Sequence, residues 1–292
     1  MKIGSLCTGY GGLDLAVEEF FNARTIWAAD TDKSASIVIE QRFDVPNHGD
    51  IKNIDWSSVE PIDIMTAGYP CQPFSHAGER KGLEDERHIW PHIAQAIGYL
   101  RPRIVVLENV RGHLSLGLKE VLASLTGLGY DARWSLVRAS DVGAPHRRER
   151  VFIIAKLANT DSFGFPLGQK SGNEIGNQGQ SQSVFGSLVS IDSDSNNEHQ
   201  SHHGKMQELG RRFTPRCKMH LQAAPSPLDQ DGKLNAEFVE YMMGLSGGWV
   251  TQLGLSRAQQ LKMLGNGVVP QQAYYALQLL TQPVDNSGDT PK

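Results

Sequence analysis

The stretch KIGSLCTGYGGLDLAVEEFF, residues 2–21, sets a short apolar run, a glycine turn and an amphipathic helical pattern in immediate succession. Residues 2–6 read as a strand and residues 13–21 as a helix. The turn between them, Thr8-Gly9-Tyr10-Gly11-Gly12, lets a ligand approach the backbone at a helix N-terminus. Its spacing is Gly-x-Gly-Gly, not the Gly-x-Gly-x-x-Gly of a dinucleotide site, which argues against a nicotinamide or flavin. A tight strand-to-helix connection needs glycines even without a ligand, so the turn alone leaves ligand binding open.

The same alternation continues to about residue 156. Further strands are expected at 25–29, 62–67, 104–107 and 151–155, and helices at 34–43, 88–100 and 116–128. Short apolar runs alternating with helical segments predict an α/β fold with a mainly parallel, doubly wound sheet. Beyond Ala158 the composition turns polar, and residues 171–203 are rich in Ser, Asn, Gln, Gly and Asp, a composition of loops. Order returns near Leu234, where Phe238, Tyr241, Met242 and Leu245 recur at helical spacing, and a last helix, residues 271–280, is opened by Pro270. The expected division is a first domain over 1–157, a loop-rich region over 158–233, a returning segment over 234–281 and a frayed tail over 282–292.

With 292 residues, 39% of them hydrophobic and 21% charged, the chain can bury one large core or two unequal ones. No apolar run approaches the ~20 residues of a membrane span and no signal-peptide pattern opens the chain, so a cytoplasmic protein with no membrane partner is expected. Three widely separated cysteines, Cys7, Cys71 and Cys217, predict neither a disulfide framework nor a metal site. The net charge of -4 means that any attraction to phosphates must come from local clusters. Two are present, His146-Arg147-Arg148-Glu149-Arg150 and Arg211-Arg212 with Arg216 and Lys218.

Four further signals carry chemistry. Asp30 sits just past the second strand and Asp50 follows a turn in His48-Gly49-Asp50-Ile51; both suit a nucleoside, although carboxylates there also serve as caps. Gly68-Tyr69-Pro70-Cys71-Gln72-Pro73-Phe74-Ser75 fixes a cysteine between two prolines at a strand end, the edge where open α/β sheets bind ligands. Glu108-Asn109-Val110 ends a buried strand with a carboxylate that acts as a general acid if its surroundings raise its pKa. In Gly143-Ala144-Pro145-His146-Arg147-Arg148-Glu149-Arg150, alternate arginines ahead of a strand are expected on one face.

In this order, and with Leu264-Gly265-Asn266-Gly267-Val268-Val269-Pro270 closing the series, the motifs resemble those of the cytosine-C5 DNA methyltransferases over residues 3–156 and about 234–280. The resemblance implies a Rossmann-like methyltransferase sheet with a small, loop-rich target-recognition domain in 158–233. It implies that Gly9, Gly11 and Gly12 cradle S-adenosylmethionine, that Asp30 holds its ribose and Asp50 its adenine, and that Pro70 and Asn266 line the same pocket. Cys71 would be the nucleophile, Glu108 the acid at cytosine N3, and Arg148 and Arg150 would stabilise the cytosine carbonyl and the catalytic groups. No metal is implied, and the enzyme is expected to act as a monomer on double-stranded DNA, with Arg211, Arg212, Arg216 and Lys218 contacting phosphate or guanine. Three positions depart from the family pattern: Cys7 where Phe is frequent, His146 where Gln is frequent and Gly267 where Ser is frequent.

The chemistry explains the residue types. Carbon 5 of cytosine is a poor nucleophile; a thiolate added at carbon 6, with a proton or strong hydrogen bond at N3, makes it enamine-like. A stacked base cannot reach such a thiolate, so it must be flipped out at a cost of roughly a few kcal/mol. Two other readings use the same fold: a catalytically silent DNA-binding regulator, and an RNA cytosine-C5 methyltransferase.

Overall fold

The computed structural model describes residues 1–70, 89–158 and 224–282. Cys71, Arg211, Arg212, Arg216, Lys218, the polar stretch 171–203 and most of the expected tail lie outside the described residues. One six-stranded sheet organises the rest, in the order β2-β1-β3-β4-β6-β5. Its strands are β1 (Lys2–Leu6), β2 (Arg24–Ala29), β3 (Ile64–Gly68), β4 (Ile104–Val110), β5 (Tyr130–Arg138) and β6 (Glu149–Leu157).

The first four strands are parallel, as expected, while β6 runs antiparallel to both β4 and β5. β5 is not among the strands expected from the sequence. Its residues, YDARWSLVR, interleave charged and apolar side chains, so this edge strand lacks the continuous apolar run of a central parallel strand. The helix expected at 116–128 is two helices, α4 (His113–Leu116) and α5 (Leu118–Gly127), separated at Gly117. The one expected at 34–43 is α2 (Lys33–Val38) continued by a π-helical turn, Ile39–Phe43.

Both faces of the sheet are covered, which is why the strands are apolar on both sides. On one face, Ile3, Ile64, Val106 and Phe152 pack with Leu13 and Val17 of α1 (Gly12–Phe21) and with Ala273 and Leu277 of the C-terminal helix. On the other, Leu6, Met65, Ala67 and Leu107 pack with Ile93 and Ile97 of α3 (Trp90–Leu100) and with Val121 and Leu125 of α5. Three helices follow the break in description: α6 (Ala236–Met242), α7 (Arg257–Asn266) and α8 (Pro270–Thr281). α7, whose composition is polar, is not among the expected helices. Its start is nonetheless marked by a capping box in which Ser256 and Gln259 satisfy each other's backbone N–H groups. Among the described residues no helix is long and apolar enough to cross a membrane.

Candidate active site and its cavity

The carboxyl ends of β1, β2, β3 and β4 open onto a cavity of about 570 Å³. Of the expected site residues, Gly9, Gly12, Asp30, Asp50, Pro70, Glu108, Arg150 and Asn266 line it together. They come from positions 9 to 266, so the fold assembles one site from chain segments that sequence order keeps apart.

The glycine turn forms one wall. Gly9 N donates to Asp30 Oδ2 over 2.9 Å, and Asp30 Oδ1 accepts from Asp32 N over 2.8 Å. Burial pushes the Asp30 carboxyl up, while the two backbone donors pull it down. Each oxygen keeps a second acceptor site, so the carboxylate can hold the turn and still bind a hydroxyl. Asn47 braces the same strand end: its Oδ1 accepts from Asp30 N and Gly49 N, and its Nδ2 donates to the Asp30 carbonyl. Asp50 caps the short 3-10 turn Ile51–Asn53 by accepting from Lys52 N over 3.0 Å. Gly11 is outside the cavity lining. Its φ of 80° and the Phe43 ring, 2.2 Å from where a Cβ would sit, give it a backbone reason to be glycine.

Cys7 takes a left-handed φ of 53° and also lines the cavity. Burial, then the Asp30 and Asp50 carboxylates, push its thiol up to about 12, so it stays protonated and unreactive at neutral pH.

Glu108 forms the floor near β3. Register pairs it with Gly68, and Gly68 has no side chain to crowd its carboxyl, Oε2 standing 3.5 Å from where a Cβ would be. Arg150 Nε stands 2.8 Å from Glu108 Oε1, but out of line for a hydrogen bond, and Oε1 has no aligned donor. Burial dominates: it pushes the carboxyl up to about 7 against the pull of Arg150 and Arg148. At neutral pH the group is therefore partly protonated and able to donate.

Asn109, next to Glu108, has no role that the sequence alone assigns. It is buried, its Nδ2 donates to the Tyr69 carbonyl over 3.1 Å, and its Oδ1 accepts from Val110 N. It thereby ties β4 to the backbone immediately before Pro70 and Cys71. Behind it, the Tyr69 hydroxyl and His113 Nε2 lie 3.0 Å apart, and burial pulls His113 down to about 4. A neutral imidazole can serve the phenol as acceptor. No sequence signal marks His113, because a single histidine after a strand carries no spacing pattern.

Arg148 and Arg150 diverge. Arg150 lies in β6 and reaches the cavity; Arg148 precedes the strand with φ 34° and does not line it. The expectation that alternation would put both on one face is corrected by that turn. The guanidinium of Arg148 donates to the Gly265 and Gly267 carbonyls at 2.8 and 2.5 Å, and its own carbonyl accepts from Gln272 Nε2 at 2.8 Å. Its place is therefore to hold the C-terminal end of α7, Gly265-Asn266-Gly267, against the cavity.

Two of the departures from the family pattern have packing reasons. A Cβ at Gly267 would lie 1.8 Å from Tyr10 Cε1, and the Tyr10 hydroxyl donates to the Val268 carbonyl over 2.5 Å, so Tyr10 occupies the space a larger residue would need. His146 Nε2 lies 3.0 Å from the Met242 carbonyl, tying the arginine segment to the end of α6. The buried carboxylate of Glu240 accepts from Gly248, Val250 and Thr251 N–H groups, fixing the loop from which Trp249 Nε1 donates to the Tyr10 carbonyl over 2.9 Å. Among the described residues there is no cluster of three or more His, Cys, Asp or Glu able to hold a metal ion.

Comparison with known proteins places these features in context. The profile of the family described as C-5 cytosine-specific DNA methylase matches residues 1–208. The Type II methyltransferase M.Bsp6I of Bacillus sp. (strain RFL6) is 34% identical over 181 residues, covering 58% of this chain and 57% of that protein. M.HhaI of Haemophilus parahaemolyticus is 33% identical over 173 residues, covering 57% of this chain and 53% of that protein. The match thus spans about half the length of these curated relatives. Among solved structures, a DNMT2 variant of Spodoptera frugiperda superposes with a TM-score of 0.63 at 17% identity, covering 96% of this chain and 99% of that one. An Escherichia coli prophage-encoded protein, described as a putative DNA modification methyltransferase, gives 0.60 at 18%, with coverage of 96% and 99%. These two likenesses are of fold.

Proposed function

The chain belongs to the C-5 cytosine-specific DNA methylases, and on that premise we propose that it transfers a methyl group to carbon 5 of a cytosine in double-stranded DNA, with Cys71 as nucleophile. The observation that carries this reading is the convergence of Glu108, Arg150, Pro70 and the glycine turn on one cavity.

The donor set fits S-adenosylmethionine. Two acceptors for a nucleoside, Asp30 and Asp50, stand at the glycine-turn end, and the volume of about 570 Å³ lies within the usual range for small-molecule sites, about 300–1,000 Å³. Gly9, Gly12, Asp30, Asp50, Pro70 and Asn266 would hold the cofactor, which when bound supplies an electrophilic methyl group. Gly11 and Arg148 support this pocket from behind.

The chain's own residues divide the remaining work. Asn109 fixes the Tyr69 carbonyl and so the entry to the Pro70-Cys71 segment. The Cys71 thiolate adds to cytosine C6 as Glu108, partly protonated near neutrality, donates a proton at N3; once C5 carries the methyl group, water takes the C5 proton, the C6–S bond breaks to release Cys71 as thiolate, and N3 returns its proton to Glu108. Arg150 stands beside Glu108, where it favours the thiolate and the charge developing on the cytosine oxygen. Residues 1–157 and 234–281 would form the catalytic body, and 158–233, with Arg211, Arg212, Arg216 and Lys218, the target-recognition region of a monomeric, cytoplasmic enzyme.

The test is methyl transfer from labelled cofactor to unmethylated DNA, with Cys71→Ala as control. Activity that survives that substitution refutes the mechanism. A denaturant-stable adduct with 5-fluorocytosine DNA separates an enzyme from a silent DNA-binding regulator, and competition by structured RNA tests the substrate.

A further inference from the structure

At the rim of the cavity, one carboxylate organises three arginines. Glu149, the first residue of β6, has Arg111 Nη1 at 2.7 Å from Oε2, and Arg147 Nη2 and Arg138 Nε at 3.0 and 3.1 Å from Oε1. The three come from separate segments: Arg111 just beyond β4, Arg138 at the end of β5, opposite Glu149 in register, and Arg147 in the turn before β6. Arg111 and Arg138 hold the Glu149 carboxyl below its ordinary range.

Arg111 and Arg147 share the one Glu149 carboxylate, which leaves positive charge in excess at this rim in a chain whose net charge is -4. The surplus faces solvent, since the Arg111 and Arg147 side chains are 62% and 65% exposed. With their guanidinium ends exposed, Arg111 and Arg147 add little to the fold, about 0–1 kcal/mol for each pair. The location is specific. Arg111 follows Val110 and Glu149 precedes Arg150; Val110 and Arg150 are register partners, and both line the cavity that holds Glu108. Each guanidinium has five donors, and pairing with one shared carboxylate leaves donors over in a planar fork that suits phosphate oxygens.

We infer that Arg111 and Arg147, splayed by Glu149, form a phosphate clamp that grips the backbone of duplex DNA beside the extruded cytosine. This rests on the proposed activity and deepens it, by giving the catalytic domain its own share of DNA binding, separate from residues 158–233. Backbone contacts position a duplex without reading sequence, which is what a rim next to a flipped base requires.

The experiment uses the full chain with duplex DNA, measuring affinity across a salt series and methyl transfer across DNA concentrations. For Arg111→Ala/Arg147→Ala, the slope of log affinity against log salt should fall by about 1.8, at about 0.9 for each phosphate no longer neutralised. KM for DNA should rise while kcat and cofactor affinity hold. Arg111→Lys/Arg147→Lys should retain most of the slope. Lys2→Ala, at the amino end of β1 and so at the opposite end of the strands from the cavity, should leave it unchanged. An unaltered slope and KM in the double alanine variant overturn the clamp, as does a fall in kcat at constant KM. If the unmodified protein neither binds nor methylates DNA, it is the proposed activity that fails.

Discussion

Arg150 stands 2.8 Å from the Glu108 carboxyl without an aligned hydrogen bond to it, so charge proximity and burial act on the acid in opposite directions and burial prevails. The arrangement keeps a proton available near neutrality at a buried group that can accept a ring nitrogen as partner.

A pH dependence of rate follows. The carboxyl must be protonated to donate, and its pKa is pushed up to about 7. Single-turnover methylation should therefore decline as pH rises past that value. Glu108→Gln should lower the rate by roughly 10²–10⁴-fold, the usual worth of general acid catalysis, and abolish that limb. A pH profile of the variant that still breaks near neutrality would reject Glu108 as its origin.

Stability should respond to the same group with a definite sign. Because the folded-state pKa is raised from the ordinary 4.5 to about 7, the folded protein binds more protons than the unfolded chain between those values, and stability falls as pH rises through the window. The stability of Glu108→Gln relative to the parent should move in favour of the variant across it, by on the order of 3 kcal/mol at 1.36 kcal/mol per pKa unit. Denaturant unfolding at the two ends of the window checks this.

Asn109→Ala removes the hydrogen bond to the Tyr69 carbonyl, a cost of about 0.5–1.5 kcal/mol. Formation of the 5-fluorocytosine adduct should slow, while cofactor affinity, set at the other end of the cavity, should change little. Equal losses in both would show a general collapse of the site.

Gly267→Ser places a side chain against the Tyr10 ring and should destabilise the fold by about 1–3 kcal/mol, as overpacking does. Tyr10→Ala in the same chain should recover part of the loss, giving a coupling energy between residues 10 and 267 in a double-mutant cycle. Additive effects would mean that the two do not share that space.

Asp30→Ala should weaken cofactor binding and loosen the glycine turn together, since one carboxylate holds Gly9 N and faces the cavity. Calorimetric titration with the cofactor, set beside the thermal midpoint of the ligand-free protein, separates the two effects.

How much of this is legible in the sequence follows from the physics of each element. β1, β3 and β4 are buried on both faces, and their largely apolar runs mark them; β5, an edge strand with half-exposed side chains, carries no such run. The convergence of Asp30, Pro70 and Glu108 is implied by motifs at strand ends, because a parallel sheet gathers its carboxyl termini along one edge. The direction of Arg148 is not legible, because it depends on one left-handed residue outside the strand. Nor is the Glu149 fan, because Arg111 and Arg138 lie 38 and 11 positions from Glu149 in the chain and meet only through strand pairing.

The glycine turn near residue 10 is closed from the far end of the chain, by the Val268 carbonyl on the Tyr10 hydroxyl and by the indole of Trp249 on the Tyr10 carbonyl. On the ribosome, at about 5–20 residues per second, the first strand and helix therefore wait many seconds for their last partners. Until Val268 has emerged, the nascent sheet has a glycine turn with no wall opposite. The cavity is complete only once synthesis reaches the C-terminal helices, so a truncated product that stops before them should carry Cys71 and Glu108 but lack the wall that Asn266, Gly267 and Val268 supply.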